Sequence, residues 1–411
     1  MSTNRREFLL AGGAGMAAVV ASGGIYGALR DQRAAAATPP QSALAATDGH
    51  ITLPNRPGDK PLYIFGFRSV PVTTDVQSLV TAYKGKAQHT APVLDFKQGD
   101  DITISLTNLG LVARPDLTDA HTIHWHGFRT PVALFDGVPE VSIAVPLQRQ
   151  FTYFYRPHAP GTYMYHCHME DVEHVQMGMT GIVFVRPSQD GNTTLDPLHR
   201  STRFVYNDGD GSTVFDREFP LLLNEIWSIA HDHDENIQES VWTDYDPDYF
   251  TINGRVYPQT ILPNDDPSLE FQPNSSLMQV NGGDRVLLRL ANLGYQQHAM
   301  QLPGIGPLKV VGEDATLLRR DTTDLSYRTN TIYIGPGEAR DVILTAPPYN
   351  AARDGADDGN GLGPYNLYWF RNRDASKLSN NGASGLGGMC TQVRVYRDAL
   401  PAQTKAGQTY A

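Results

Sequence analysis

Gln98-Gly-Asp-Asp-Ile-Thr-Ile-Ser-Leu-Thr-Asn-Leu-Gly110 and Asn281-Gly-Gly-Asp-Arg-Val-Leu-Leu-Arg-Leu-Ala-Asn-Leu-Gly294 are two versions of one passage. Each opens on a Gly/Asp turn, runs through an apolar-rich strand and closes on Asn-Leu-Gly. In the first, apolar and polar residues alternate with period two, the mark of a half-buried β-strand. A second pair rhymes in the same order: Gly178-Met-Thr-Gly-Ile-Val-Phe-Val-Arg186 and Gly388-Met-Cys-Thr-Gln-Val-Arg-Val-Tyr396. The repetition predicts an internal duplication and an all-β fold, two Greek-key β-sandwich domains in tandem. It also sets Cys390 opposite Thr180 rather than Cys167, which predicts a buried core thiol at 390.

The composition agrees. Of 411 residues 38 are Gly and 28 are Pro, which favours a turn-rich chain, and strong helical stretches are absent. Hydrophobic residues at 40% supply ample core. The net charge is −11, and residues 1–46 hold four of the arginines, so the remainder is more acidic still. Such a surface repels phosphate backbones, and no nucleic-acid partner is expected. Two cysteines, Cys167 and Cys390, exclude a disulfide framework.

Ser2-Thr-Asn-Arg5-Arg6-Glu-Phe-Leu-Leu10 reads as a twin-arginine export signal, followed by a Gly/Ala-rich apolar stretch to about Leu29. Small residues at Ala35–Ala37 or Ala43–Ala45 offer cleavage sites. The expected organisation is a signal over 1–46, a first domain over 47–190, a Ser/Gly/Asp-rich linker over 191–214, a second domain over 215–400 and a tail over 401–411. The mature chain is expected in the periplasm, at the cell surface or outside the cell, free of the membrane.

Of 13 histidines, seven fall between 121 and 174. The first group is His121-Thr-Ile-His124-Trp-His126. The second is His166-Cys167-His168, followed by His174 and Met179. Alternate strand residues face opposite sides, so His124 and His126 share a face, as do His166 and His168, while Cys167 and His121 point the other way. Two metal sites follow, one on each side of a sheet. His121, Cys167, His174 and Met179 (two imidazoles, a thiolate and a thioether) are the donor set of a blue, type 1 copper site. The alternative reading of Cys167, His121 and His174 is a zinc site. His124, His126, His166 and His168 form a four-imidazole group suited to copper or zinc. The isolated pair His231-Asp-His233 reads as a surface turn.

These motifs, with Asp136-Gly-Val-Pro139 and Gly161-Thr-Tyr-Met-Tyr-His-Cys-His168, resemble the multicopper oxidases, the cupredoxin-fold family of laccases and ferroxidases. The chain looks like the two-domain members with type 1 copper in domain one. The resemblance implies type 1 ligation by His121, Cys167, His174 and Met179, type 2 copper at His124, and a type 3 pair at His126, His166 and His168. It implies that Asp136 helps deliver protons for O₂ reduction; read without it, Asp136 is a turn former before Gly.

The second half departs from the family. A trinuclear copper cluster uses eight histidines in four HxH pairs, and this chain offers two pairs. Gln301 and Pro303 stand where a further HxH is expected, and His298 reads as structural. A homo-oligomer in which two first domains pool their histidines would complete the cluster; a mono- or binuclear site, or ligands from another protein, are the other readings. The function implied is a laccase-like oxidase that couples one-electron oxidation of phenols, aromatic amines or metal ions to reduction of O₂. The substrate edge is expected near His174, where Glu170, Asp171 and Glu173 could attract cations or form a solvated acidic loop. The alternatives are a copper nitrite reductase and a non-catalytic electron-transfer or copper carrier protein. His124 and His168 stand against the reductase, because that family has an Asp and a small residue there.

Overall fold

The computed structural model describes residues 41–353 and 355–410. The export signal expected from the sequence falls almost wholly on residues 1–40, outside the described residues. Two sandwiches follow in order. In the first, β1 (Ser42–Ile51), β2 (Leu62–Ser69), β3 (Leu94–Lys97), β4 (Ile102–Gly110), β5 (His124–His126), β6 (Gln150–Tyr155), β7 (Gly161–His166) and β8 (Thr180–Arg186) form two four-stranded sheets, ordered β2-β1-β4-β6 and β3-β8-β7-β5. Between them Phe65, Ile104, Leu106, Trp125, Tyr153, Tyr155, Val183 and Val185 make the core. Burying each such side chain contributes on the order of 2 kcal/mol.

The second half repeats this plan. Strand Arg285–Asn292 lies parallel to Arg217–Ile226 and antiparallel to Ala339–Thr345, as β4 lies parallel to β1 and antiparallel to β6. Strand Cys390–Tyr396 lies parallel to Met278–Asn281 and antiparallel to Tyr365–Asn372, as β8 lies between β3 and β7. The repeated Asn of the two quoted passages does one job twice. Asn108 Nδ2 donates to the carbonyls of Asp119 (2.7 Å) and Val145 (3.0 Å), and its Oδ1 accepts from the Gly110 amide at 2.9 Å. Asn292 Nδ2 donates to Gln296 (2.8 Å) and Ile334 (3.3 Å), and its Oδ1 accepts from Gly294 at 2.9 Å. Each amide pins the loop that leads into a histidine, His121 or His298.

Ladder register fixes which residues correspond. His124 pairs with His166, which pairs with Thr180; Gln301 pairs with Arg371, which pairs with Cys390. Gln301 therefore stands at the position of His124, Arg371 at that of His166, and Pro303 falls at that of His126.

Three details differ from the sequence reading. β1 begins at Ser42, ahead of residue 47, and Ala43, Ala45 and Ala46 are buried, the first two against Val70, Leu79 and Leu109. Cleavage at Ala43–Ala45 would cut a core strand, whose small residues suit close packing rather than a protease. The linker region carries two short strands and is stitched down by Asp196, which receives Arg285 through both carboxylate oxygens at 2.6 and 2.9 Å. The tail is held by Gln403, whose Oε1 accepts from the Glu218 amide at 2.8 Å. Cys390 is buried, and burial pushes its thiol up to about 12. Among the described residues no helix is long and apolar enough to cross a membrane.

The halves meet through β7 and the strand Ala339–Thr345. Thr162 Oγ1 donates to Asp341 Oδ1 at 2.6 Å, and the Arg289 guanidinium lies 4.4 Å from the centre of the Phe184 ring.

Candidate copper sites

β5 and β7 bring the two histidine groups to one sheet edge. Their pleat places Cys167, one residue past β7, on the core side. His121 enters by a bridge to Val145, and His174 comes from the short helix Asp171–Met177, which ends at Gly178 (φ 118). Glycine suits that left-handed turn. The turn returns Met179 to the core.

Cys167 Sγ lies 3.3 Å from His174 Nδ1 and 3.8 Å from His121 Nδ1. The three residues are buried, and so is Met179. The Thr122 amide donates to Sγ at 3.4 Å, and the Cys167 amide to the Met179 carbonyl at 3.2 Å. Burial works against ionisation of Cys167, yet His174 and His121 hold the thiol well below its ordinary range. Burial also opposes charge on His174, while the Cys167 thiolate and Asp119 push it up to about 10. A thiolate and two imidazoles converging in a dry pocket, with Met179 buried in the same core cluster, fit type 1 copper.

On the other face the ligand atoms of His124, His126 and His166 lie within 4.8 Å of one another. His168 joins them, its ring centre 5.1 Å from that of His124. Burial is the first cause lowering the pKa of His124, His126 and His166, the last to about 3. Burial thus favours the neutral, ligating form of all three. Orientation is fixed behind the rings: His124 Nδ1 donates to the Asp136 carbonyl at 2.7 Å and His166 Nδ1 to the Cys167 carbonyl at 2.8 Å. Such backing is what metal-bound histidines require. Asp136 caps the turn Ala133–Phe135 and also brings Oδ1 to 3.5 Å from His124 Nδ1. The turn position expected of it is thus the one it occupies, with its carboxylate beside the His124 ring.

Among the described residues the second half brings no histidine to this group, and it still reaches the site. A Cβ on Gly337 (φ 78) would stand 2.9 Å from His126 Nε2. Gly337 cannot retreat readily, because its amide donates to the Asn292 carbonyl and the Asn292 amide donates to Glu338.

A cavity of about 440 Å³ opens near His174, lined by Arg114, Glu170, Glu173, Asp234, Glu239 and Trp242 among others. His174 Nε2 faces Asp119 Oδ2 at 3.9 Å. Of the acids expected beside His174, Glu170 and Glu173 line the cavity; the Asp171 side chain does not. Burial first, then Glu173, pushes Asp234 up to about 7. Sequence reasoning missed Asp119, Asp234 and Trp242: Asp119 stands two residues before His121 with no pattern to mark it, and Asp234 and Trp242 come from the second half of the chain. It also misplaced His231: the segment is a helix, Ser228–Glu235, and His231 is buried with Nδ1 donating to the Tyr63 carbonyl at 2.6 Å. His298 is buried, with Nε2 against the Glu225 carboxylate.

Comparison with known proteins places these motifs. The family description "Multicopper oxidase" matches residues 69–190 and again residues 217–355. Laccase-5 of Arabidopsis thaliana is 29% identical over 64% of this chain and 40% of its own length. The chain thus spans about two fifths of the length of that plant relative. Among solved structures, the blue copper oxidase from Nitrosomonas europaea aligns with a TM-score of 0.60 at 24% identity, covering 86% of this chain and 85% of that one. The copper nitrite reductase from the same organism aligns with a TM-score of 0.54 at 16% identity, covering 89% and 96%. At these identities the two structures speak for the cupredoxin fold alone.

Proposed function

We propose that this chain, which belongs to the multicopper oxidase family, is a laccase-like copper oxidase with electron entry and oxygen reduction on opposite faces of one sheet. The observation that carries the reading is the tripeptide His166-Cys167-His168. Its cysteine sits among the type 1 donors, and both its histidines lie in the four-imidazole group. Bound at these residues, copper would take electrons singly at the Cys167 side and supply O₂ reduction to water at the histidine side.

The chain's own groups have separable roles. His121, Cys167, His174 and Met179 hold the electron-entry metal, and His124, His126, His166 and His168 hold the second centre. Burial around Cys167 excludes water. Glu173 lines the cavity, so the adjoining His174 is the metal-holding residue on the side from which a donor's electron would enter. Glu170, Glu173, Asp234 and Glu239 line that cavity against a single guanidinium, Arg114, and give it negative character, while Trp242 and Leu117 give it apolar surface, a pairing suited to cationic aromatic amines ahead of neutral phenols. The Asp136 carboxyl relays protons to the oxygen side beside His124.

A second copy of the chain completes the histidine centre in this reading. Two first domains bring eight imidazoles, with the His124 residues of the two copies facing each other across a two-fold axis. Val132, Val141 and Ile143, exposed on the loop that carries Asp136, suit such a contact. Copper per chain and assembly mass on one copper-loaded sample test this. About five coppers per dimer with donor-dependent O₂ uptake is expected. One copper per monomer without O₂ uptake would replace the oxidase with an electron carrier, and turnover of nitrite in place of O₂ would make it a reductase. Export to the periplasm or beyond accompanies this reading.

A further inference from the structure

The type 1 residues have counterparts in the second half, identified by matching backbone hydrogen bonds. The Cys167 amide donates to the Met179 carbonyl at 3.2 Å, and the Asn372 amide to the Met389 carbonyl at 3.0 Å. The Met179 amide donates to the His174 carbonyl, and the Met389 amide to the Lys377 carbonyl, both at 2.9 Å. At the next position the His168 amide donates to the Thr122 hydroxyl and the Arg373 amide to the Ala299 carbonyl, different acceptors on equivalent residues, one past His121 and His298 respectively. His121, Cys167, His174 and Met179 thus correspond to His298, Asn372, Lys377 and Met389.

Their side chains converge as the type 1 donors do. Asn372 Nδ2 lies 3.1 Å from His298 Nδ1 and 3.4 Å from Met389 Sδ. Lys377 Nζ stands 3.4 Å from His298 Nδ1 and donates to the Gln297 carbonyl at 2.7 Å. His298, Asn372, Lys377 and Met389 are all buried. A buried ammonium is costly unless lone pairs and a counter-charge surround it. Here an imidazole nitrogen and a carbonyl meet it, and the buried Glu225 carboxylate lies behind His298.

We propose that the second half retains the frame of a type 1 copper site in which the Lys377 ammonium is the resident cation, in the place where a metal ion would sit. Asn372 replaces the thiolate with a neutral amide, so the balancing charge comes from Glu225. The consequence is exclusion: the second half is closed to copper, and electrons enter each chain at one position only.

The inference uses the type 1 assignment of the first half, and the test separates the two. The parent is full-length Cys167→Ser, which removes the first-half thiolate. Asn372→Cys and Lys377→His are added to it, and both proteins are loaded with Cu(II). The expected result is one further copper per chain and an intense thiolate-to-copper visible band that the parent lacks. A folded variant with neither the band nor the added copper overturns the proposal. Should the variant not fold, Lys377→Met in the otherwise native chain decides: a clear fall in melting temperature of the copper-free protein supports a resident cation, and an unchanged one overturns it. A native protein without the visible band would refute the first-half assignment alone, because the added copper is counted against the parent.

Discussion

Replacing Asn108 by Ala tests how the fold delivers His121 to Cys167. The Asn108 side chain is fully buried and makes three hydrogen bonds, to Asp119 O, Val145 O and Gly110 N. At about 1 kcal/mol net for each, their loss costs about 3 kcal/mol, and groups left buried without partners raise that figure. Val145 O still receives the His121 amide at 3.1 Å, so one of the three partners stays satisfied. We therefore expect Asn108→Ala to destabilise the copper-free protein by about 3 kcal/mol in urea unfolding followed by tryptophan fluorescence. The visible type 1 band should shift or weaken, because the loop from Asp119 to His121 loses its anchor. Asn292→Ala makes the matched control: a comparable stability loss with the visible band unchanged. A cost below about 1 kcal/mol at position 108, or equal spectral effects from both variants, would refute the reasoning.

Four more outcomes are expected. Cys167→Ser should abolish the visible band and remove one copper per chain while leaving the histidine centre loaded, read by metal analysis and electron paramagnetic resonance. Asp136→Asn should slow steady-state O₂ uptake on the order of a hundredfold yet leave anaerobic donor oxidation at its native rate, as a lost proton relay predicts. Because Asp234 is raised to about 7, the cavity gains negative charge as pH rises through neutrality; KM for a cationic amine should fall several-fold from pH 6 to 8, and Asp234→Asn should flatten that change, whereas a neutral phenol should show neither effect. Gly337→Ala should displace the His126 ring and deplete copper from the histidine centre with the visible band retained, while Gly283→Ala, at φ 84 with open space around it, should keep full copper.

Much of this was legible in the sequence because strand parity is a strong constraint. Once β5 and β7 exist, alternation alone places His124, His126 and His166 on one face and Cys167 on the other. The repeated passages revealed the duplication because each is an interior strand of its sheet, buried along most of its length and closed by the same Asn-to-Gly hydrogen bond. What stayed hidden depends on loops or on context. The correspondence of Lys377 with His174 is invisible to spacing, since five residues separate Asn372 from Lys377 and seven separate Cys167 from His174. His-Asp-His-Asp-Glu looks like a solvated turn, but its helix lies on β2 and buries one imidazole of the pair. Ala43–Ala45 reads as a processing site, although small side chains equally suit a strand packed closely against its neighbours.

The helix that carries His174 is also held from outside its own sandwich. Tyr295 Oη donates to the Val172 carbonyl at 2.5 Å, and Gln176 Nε2 donates to the Glu225 carbonyl at 3.2 Å. Electron transfer is fast when the donor atoms hardly move between oxidation states, so a ligand clamped at both ends of its helix lowers the reorganisation energy. On the proposed type 1 assignment the second half would thereby set the tempo of the first: loosening Tyr295 would slow electron exchange even at an unchanged reduction potential.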